Sequence, residues 1–326
     1  MTRSSPARTL PAVHPAAGLP ARVAVHEVGP RDGLQAEAAT VPTADKVRFI
    51  RELRAAGLGP VEATSFVSPR WVPQLADAAE VLDKLAGPGG LVDGGDGLEP
   101  YPVLVPNLRG LERARECGAR AVAVFVSATE AFAGRNLNTT VAGALAAAAE
   151  VTAKARASGM TVRGYVSMCF GDPWEGTVAP DAVVPATHRL LEAGCYEVSL
   201  GDTIGVGTAG HVLALLDAHV RAGIGPDKLA LHFHDTYGQA LANVHAGLLG
   251  GVTCFDASAG GIGGCPFAGS ATGNLATEDL LWMMEGLGIR TGADLRAVAE
   301  TGERMTRLLG RPPSRVARAL GLDGLK

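Results

Sequence analysis

The feature that most constrains the fold is a repeated alternation of short strand-like runs with longer helix-like stretches. The helix-like stretches carry Ala and Leu at helical spacing, and the strand-like runs are rich in β-branched residues. Eight units can be counted, and their strands begin near Val23, Gly59, Tyr101, Ala121, Thr161, Cys195, Lys228 and Val252. Eight parallel strands, each followed by a returning helix, close into a barrel without open sheet edges.

The sequence therefore predicts an α/β fold, a (β/α)8 TIM barrel with additional C-terminal helices. The alternative is an open doubly wound sheet, which normally has a glycine-rich phosphate-binding turn after its first strand. No such turn follows Val28. The predicted boundaries are 1–22 for a disordered N-terminal extension, 23–292 for the catalytic barrel and 293–326 for a C-terminal helical extension. Residues 85–100, rich in Gly and Pro, predict a long surface loop, and Thr43 is the predicted N-cap of the first helix.

Composition excludes several classes of function. The 326 residues carry a formal net charge of -4 with both signs scattered, so no basic patch for nucleic acid or a membrane surface is present. No apolar run approaches the roughly 20 residues of a membrane helix. The five cysteines include no CxxC pair and are expected to be reduced thiols. The first 22 residues resemble a transit peptide in lacking acids, but four prolines oppose an amphipathic helix, and we expect a cytoplasmic protein.

In a TIM barrel the chemistry takes place where the strands end and the βα loops begin. The first strand ends in GPRDGLQ, which places Arg31, Asp32 and Gln35 at the mouth. The seventh strand ends in LHFHDTYGQ, where His232 and His234 project to the same side because side chains alternate along a strand. Two imidazoles at this spacing form a chelate for a divalent ion.

Asp32 adds a carboxylate to the two imidazoles, and Asn274 can add a carbonyl oxygen. Nitrogen and oxygen ligands without thiolate favour Mg²⁺ or Mn²⁺, and Zn²⁺ remains an alternative. Further polar groups at the ends of the second and sixth strands are Glu62, Thr64, Ser65, Ser199 and Asp202. The eighth strand opens into the glycine-rich loop AGGIGGCPFAGSATGN, which contains Cys265 and is expected to form a mobile lid.

Together these segments resemble the 3-hydroxy-3-methylglutaryl-CoA lyase family. The segments are GPRDGLQ at 29–35, ATSFVSPRWVPQLAD at 63–77, RGYVS at 163–167, GCYEVSLGDTIGVGT at 194–208, HFHDTYGQALAN at 232–243 and GGIGGCPFAGSATGNLATEDL at 260–280. The similarity covers residues 22 to about 310. The last two segments are specific to this lyase group, whereas GPRDG is shared with a wider superfamily of metal-dependent barrels.

The resemblance implies an enzyme that cleaves 3-hydroxy-3-methylglutaryl-CoA to acetyl-CoA and acetoacetate by metal-assisted retro-Claisen chemistry, as in leucine degradation and ketone-body formation. It implies a homodimer or higher homo-oligomer that binds an acyl-CoA. The implied metal ligands are Asp32, His232, His234 and Asn274. Arg31 would stabilise the enolate, and Cys265 would act as general acid. Glu27 or Asp32 is the candidate base, His232 is a further catalytic candidate, and Gln35, Glu62, Ser65, Ser199 and Asp202 would line the substrate pocket or support it.

Three alternatives stay open from the sequence. A related lyase could act on a longer, isoprenoid-derived 3-hydroxyglutaryl-CoA, which pocket size would decide. A synthase that condenses acetyl-CoA with a 2-keto acid is disfavoured because few residues follow the barrel and because such synthases lack the Gly–Gly–Cys loop. A non-catalytic barrel is disfavoured because each metal and acid–base position is filled. The chain departs from animal lyases in having no cysteine after Cys265, and in carrying Ala38 and Ala39 in place of basic residues.

Overall fold

Eight parallel strands form one curled sheet in the computed structural model, which describes residues 11–86, 100–264 and 273–322. The strands, β1 to β8, are Ala24–Glu27, Thr64–Ser65, Pro102–Leu104, Ala121–Ser127, Thr161–Ser167, Val198–Asp202, Leu229–Phe233 and Cys254–Ala257. From β2 to β8 each strand pairs with the next one in the sequence, and β8 also pairs with β1. Most of the predicted 85–100 loop, and Cys265, lie outside the described residues.

The sheet closes on itself between β1 and β2. Glu27 forms a parallel bridge with Val61, and the N–H of Glu62 donates to the carbonyl of Glu27 over 2.8 Å. The predicted barrel is therefore confirmed, and the alternative prediction of an open doubly wound sheet is wrong. A closed cylinder brings the carboxyl ends of all eight strands to one mouth, which is where the polar strand ends must meet.

Ten α-helices of five or more residues lie in the described ranges, and most of them cover the outside of the barrel. They are α1 Thr43–Ala55, α2 Ala78–Leu85, α3 Leu108–Glu116, α4 Val141–Ala157, α5 Pro180–Ala193, α6 Ala209–Arg221, α7 Ala240–Leu249, α8 Thr277–Gly286, α9 Leu295–Leu308 and α10 Arg315–Ala319. The last two are the predicted additional helices, and α9 packs against α1. None of the helices in these ranges is both long and apolar enough to cross a bilayer.

Shorter elements lie mostly in the loops. They are π-helical turns at Gly29–Gly33 and Ala133–Leu137, a short helix at Glu130–Phe132, 3-10 turns at Pro73–Leu75, Pro226–Lys228 and Ala259–Gly261, and a two-stranded hairpin of Gly171–Asp172 with Gly176–Thr177.

Side-chain alternation along the strands separates an apolar outer layer from a polar interior. In β7, Leu229, Leu231 and Phe233 belong to the main apolar core beneath the helices. His232, which lies between Leu231 and Phe233, is instead grouped with polar side chains at the mouth. The same alternation places Phe255 in the apolar core and its neighbour Asp256 in a polar network. The strand parity used in the sequence analysis therefore holds in both strands.

Two local predictions differ from the structure. Thr43 is the first residue of α1 and not its N-cap, because Pro42 holds the cap position and the Thr43 hydroxyl donates to Asp77 over 2.7 Å. The described part of the predicted N-terminal extension packs against the barrel: the N–H of His14 donates to the carbonyl of Gly286 over 2.8 Å. Residues 11–22 thus contact the barrel, while 1–10 lie outside the described residues.

Candidate active site

Three side chains predicted as metal ligands meet at the barrel mouth. One donor atom each from Asp32, His232 and His234 lies within 4.8 Å of the other two. The two imidazole rings have centroids 5.2 Å apart. His232 lies in β7, His234 follows its end, and Asp32 lies in the turn after β1. The closed barrel therefore brings together residues that are 200 positions apart in the sequence.

A tight turn after β1 determines where Asp32 lies. The N–H groups of Arg31, Asp32 and Gly33 all donate to the carbonyl of Val28, over 3.1, 2.7 and 3.2 Å. A side chain at Gly29 would place its Cβ 2.6 Å from a carboxylate oxygen of Glu27, closer than real contacts allow. Glycine at this position therefore lets Glu27 keep its hydrogen bonds to the N–H groups of Gly29 and Ala259, which gives a physical reason for the first glycine of GPRDG.

Asn274 supplies a fourth donor beside the three ligands. It forms an antiparallel bridge with His234, and its Nδ2 donates to Asp32 over 3.0 Å and to the carbonyl of Ile262 over 3.1 Å. Its Oδ1 is buried and has no hydrogen-bond partner among the described residues. A buried acceptor without a donor is unfavourable, and a cation held by Asp32 and the imidazoles would satisfy it.

The charge balance around this cluster also fits a cation. Among the described residues, the two guanidinium groups of this network, Arg31 and Arg163, pair with four carboxylates: Asp32, Glu62, Glu197 and Asp256. The excess of buried negative charge is destabilising unless positive charge compensates it. Oxygen and imidazole donors without thiolate suit a divalent ion. The residues present therefore fit the predicted metal.

Arg31 is held by carboxylates on both sides. Its Nε donates to Glu62, its Nη1 donates to Asp32 over 2.7 Å, and its guanidinium lies 5.5 Å from the centre of the Tyr165 ring. Burial lowers the pKa of Arg31, but Glu62 and Asp32 outweigh burial and raise that pKa above its ordinary value. Arg31 is thus a permanent positive charge next to the predicted metal ligands.

The same charges act on Asp32 in the opposite sense. Burial raises the pKa of Asp32, but Arg31 and the two imidazoles outweigh it and lower the pKa to about 2. Asp32 is therefore ionised at neutral pH, as a metal ligand must be.

A second layer of charged residues, none of them among the predicted site residues, orients His232. Its Nδ1 lies 3.4 Å from Oδ2 of Asp256, which also accepts from Ser199 over 2.7 Å. The other oxygen of Asp256 accepts from Arg163 over 2.7 Å. A carboxylate behind one imidazole nitrogen leaves the other nitrogen for a metal, which is a common arrangement in metal sites. Arg163 also donates to Glu197 over 2.8 Å.

A signal for this layer was present in the sequence. Arg163, Tyr165 and Asp256 are polar residues inside strands, at positions of inward parity. Tyr165 donates to Glu62 and thereby joins the layer to Arg31. A buried charged residue in mid-strand is costly unless it is paired, so its presence in β5 and β8 predicts ion pairs across the lumen.

The predicted pocket residues form polar contacts of their own. Ser199 binds Asp256, as described above, and the Ser65 hydroxyl accepts from the N–H of Val67 over 3.1 Å. Asp202 accepts from the N–H groups of Val206 and Gly207, each over 2.9 Å. Burial raises the pKa of Asp202 to about 6. The observed contacts of Ser65 and Asp202 stabilise the loops after β2 and β6.

Gln35 lies beyond the turn after β1 and is half-buried. Its Oε1 is buried and has no hydrogen-bond partner in the described part of the chain. Gln35 therefore offers an unused acceptor at the mouth.

Glu27 joins the loops after β1 and β8. One of its oxygens accepts from the N–H of Gly29 over 2.8 Å and from that of Ala259 over 3.0 Å. The other accepts from the Thr277 hydroxyl over 2.6 Å. Burial raises the pKa of Glu27 to about 7. With both oxygens engaged by structural donors, Glu27 is better placed to position the two loops than to act as a base.

The chain matches the HMGL-like family over residues 22–305. This match spans most of the sequence and includes all four predicted metal ligands. The chain belongs to the HMGL-like family. As an HMGL-like protein it shares 48% identity, over 93% of its length and 98% of the relative's, with a 3-hydroxy-3-isohexenylglutaryl-CoA/hydroxy-methylglutaryl-CoA lyase of Pseudomonas aeruginosa.

Solved structures of HMGL-like lyases have the same fold. The structure of the hydroxymethylglutaryl-CoA lyase from Pseudomonas aeruginosa superposes with a TM-score of 0.88 at 47% identity, covering 94% of this chain and 99% of that one. An HMG-CoA lyase from Acinetobacter baumannii, in complex with coenzyme A and 3-methylmalate, gives a TM-score of 0.84 at 36% identity, covering 94% of this chain and 97% of that one.

One buried acid of this HMGL-like chain predicts a pH-dependent stability. Glu278, at the start of α8, accepts from the N–H of Gly260 over 2.8 and 3.0 Å with its two oxygens. Burial raises its pKa to about 8 from the ordinary 4.5. Between those values the unfolded chain releases a proton that the folded chain retains, so the unfolding free energy falls as pH rises from about 4.5 to about 8.

We expect Glu278→Gln to remove this pH-dependent loss of stability, because glutamine does not ionise. The stability of the variant relative to wild type should therefore improve steadily from pH 5 to pH 8, by at most about 1.4 kcal/mol per pH unit. Urea unfolding across this pH range measures the slope, and any pH-independent cost of the amide drops out of it. Glu150→Gln, at an exposed position of α4, is the control. A stability difference that does not change with pH would contradict the prediction.

Proposed function

We propose that this chain is a 3-hydroxy-3-methylglutaryl-CoA lyase, which cleaves its substrate to acetyl-CoA and acetoacetate. The observation that carries the proposal is the cluster of Asp32, His232 and His234 at the barrel mouth, in a chain 48% identical to a lyase with this substrate in its name. The bound coenzyme A in a second relative supports an acyl-CoA as the class of substrate.

The proposed ligands of the divalent ion, Mg²⁺ or Mn²⁺, are Asp32, His232, His234 and Asn274. When bound, the ion would lower the pKa of the substrate hydroxyl and orient that hydroxyl together with the substrate carboxylate. Asp256 would hold His232 with one nitrogen directed to the ion, because it lies 3.4 Å from the other. The unpaired acceptor of Asn274 supports its inclusion as a ligand.

The reaction is written as a retro-Claisen cleavage. The C3 hydroxyl loses its proton, the C2–C3 bond breaks, C3 becomes the ketone of acetoacetate, and the bonding pair remains on C2 as the enolate of acetyl-CoA. We assign Asp32 as the acceptor of the hydroxyl proton, because Asp32 belongs to the proposed ligand cluster, whereas Glu27 joins the loops after β1 and β8. With a pKa of about 2, Asp32 accepts a proton only from a strongly acidified hydroxyl.

Arg31 is assigned to the enolate. Its guanidinium is buried and permanently charged, and in a site of low polarity a fixed positive charge stabilises developing negative charge more than it does in water. Cys265 is assigned as the acid that protonates C2 and so prevents recondensation. It lies outside the described residues, and the assignment rests on the resemblance of its glycine-rich segment, which follows β8 in the sequence, to the lyase family.

The remaining assignments follow the same proposal. Gln35, Glu62, Ser65, Ser199 and Asp202 would line or support the substrate pocket. The enzyme would be a cytoplasmic homodimer or higher homo-oligomer, with the barrel at 23–292 as its catalytic unit. A second candidate substrate is 3-hydroxy-3-isohexenylglutaryl-CoA, which the relative from Pseudomonas aeruginosa carries in its name.

A direct assay tests the proposal. The purified chain is incubated with 3-hydroxy-3-methylglutaryl-CoA and Mg²⁺ or Mn²⁺, and acetoacetate and acetyl-CoA are measured. We expect both products in equal amounts, and none after removal of the metal with a chelator. Full activity in excess chelator would overturn the metal assignment. Cleavage of the isohexenyl substrate alone would favour the second candidate, and the absence of cleavage with either substrate would overturn the lyase function.

A further inference from the structure

The segment between α9 and α10 contacts the mouth of the barrel. Arg311 donates through Nη1 to a carboxylate oxygen of Glu37 and to the carbonyl of Gly263 over 3.2 Å. The N–H of Gly263 donates to the same Glu37 oxygen over 3.1 Å. These contacts join three segments in a closed triangle: the C-terminal extension, the loop that contains Asp32, and the segment after β8.

A second arginine, Arg315 at the start of α10, contacts the other side of the site. Arg315 donates to Asp235 over 2.7 Å, and Asp235 directly follows His234 in the chain. The N–H of Asp235 donates to the carbonyl of Gly273 over 3.2 Å. Gly273 in turn directly precedes Asn274. Arg315 is therefore connected to two proposed metal ligands through their chain neighbours: to His234 through Asp235, and to Asn274 through Gly273.

The contacts of Arg311 lead to the same ligands by another route. Gly263 follows Ile262, whose carbonyl accepts from Nδ2 of Asn274 over 3.1 Å. That Nδ2 also donates to Asp32. The orientation of the Asn274 amide, and hence of its free oxygen, therefore depends on the position of the Ile262–Gly263 backbone. Arg311 and Glu37 hold that backbone from both its N–H and its carbonyl.

We propose that Arg311 and Arg315 are positioning residues for the active site. The C-terminal extension fixes the backbone on both sides of the proposed metal ligands. It would therefore contribute to metal binding in addition to packing against the barrel. The inference rests on the metal site of the proposed function. Its physical basis is that ligand atoms held in place before binding lose less conformational freedom when the ion binds.

The exposure of the two arginines separates this role from a structural one. Their side chains are 34% and 60% exposed, against 11% and 15% for their partners Glu37 and Asp235, so solvent screens these ion pairs in part and limits their contribution to global stability. A purely structural role therefore predicts small effects on every property of the protein. A positioning role predicts a loss of metal affinity while the unfolding temperature barely changes.

The test is a titration of the metal-free full-length chain with Mn²⁺, in which free Mn²⁺ is measured by electron paramagnetic resonance. Arg311→Met and Arg315→Met are each expected to bind Mn²⁺ about tenfold more weakly than wild type, as when a supporting contact behind a metal ligand is lost. Arg296→Met is the control, because Arg296 lies on α9 and pairs with Glu300 on the same helix. Affinities equal to that of the control would overturn the proposal.

Conservative variants extend the test. Arg311→Lys keeps the charge opposite Glu37 and should recover most of the affinity that Arg311→Met loses. When Glu37→Gln and Arg311→Met are combined, their losses of Mn²⁺ affinity should be less than additive, because both substitutions break the same contact. Full additivity of the two losses would show that Arg311, Glu37 and Gly263 do not act as one unit. If Arg311→Met fails to fold, Arg311→Lys and Glu37→Gln provide the measurement.

Failure of the metal site and failure of the positioning role are distinguishable. A wild-type chain that does not bind Mn²⁺ overturns the proposed metal site and this inference with it. A wild-type chain that binds Mn²⁺, together with arginine variants that bind as well as Arg296→Met, overturns the positioning role alone.

Discussion

Asp32→Ala is expected to lose both metal binding and catalysis. The variant removes the carboxylate that lies between Arg31, Asn274 and the two imidazoles. A bound metal contributes several kcal/mol to the stabilisation of transition-state charge, and each 1.36 kcal/mol changes the rate tenfold. We therefore expect turnover to fall by about 10³-fold or more, with Mn²⁺ affinity reduced in the same variant. Acetoacetate release and the Mn²⁺ titration measure the two effects.

The control for this variant is Asp181→Ala. Asp181 lies in the first turn of α5 and its side chain is 79% exposed, where it pairs with Arg221. The metal-free Asp32→Ala protein should unfold at a temperature close to wild type, because Arg31 keeps its ion pair with Glu62. If Asp32→Ala bound Mn²⁺ and turned over substrate as Asp181→Ala does, Asp32 would have neither proposed role.

The sequence is sufficient to predict the barrel and the cluster at its mouth. Eight repeated units imply a closed cylinder, and strand parity then puts His232 and His234 on one side. The first strand must end at the same mouth, which brings Asp32 near them. Each of these three steps needs only the repeat and the alternation of side chains, and none of them requires the register of one strand against another.

The network behind the ligands could not be derived in this way. Arg163 and Asp256 are 93 positions apart, and their pairing depends on the stagger of β5 and β8 around the cylinder. Glu27 was a candidate base in the sequence as a carboxylate expected near the metal. Its contacts with Ala259 and Thr277, 232 and 250 positions away, become visible only once β8 and α8 are placed.

The C-terminal extension shows the same limit. Its helical pattern predicts additional helices, and the structure has them at Leu295–Leu308 and Arg315–Ala319. The contact of Arg311 with Glu37 spans 274 positions and lies in the turn between the two helices. Neither helical periodicity nor charge pattern indicates where such a turn packs.

Cys265→Ser is expected to lower turnover by about 10²- to 10⁴-fold, the effect of losing an acid–base partner. A serine hydroxyl is close in size to the thiol but is a far weaker acid. Protonation of the enolate would therefore be slower, and recondensation of the enolate with acetoacetate would be more frequent. The Michaelis constant should change much less than turnover, because the lost interaction forms only during the reaction.

The matched control for this variant is Cys117→Ser. Cys117 is a half-buried free thiol after the last residue of α3, on the side of the barrel opposite the mouth. If the thiol acts as the acid, only the Cys265 variant loses turnover, and a fast-reacting thiol reagent inactivates wild type and Cys117→Ser alike. Undiminished turnover in Cys265→Ser would remove the thiol from the mechanism. Protonation of C2 would then fall to water or to another group at the mouth, while the roles of Arg31 and Asp32 would stand on their own tests.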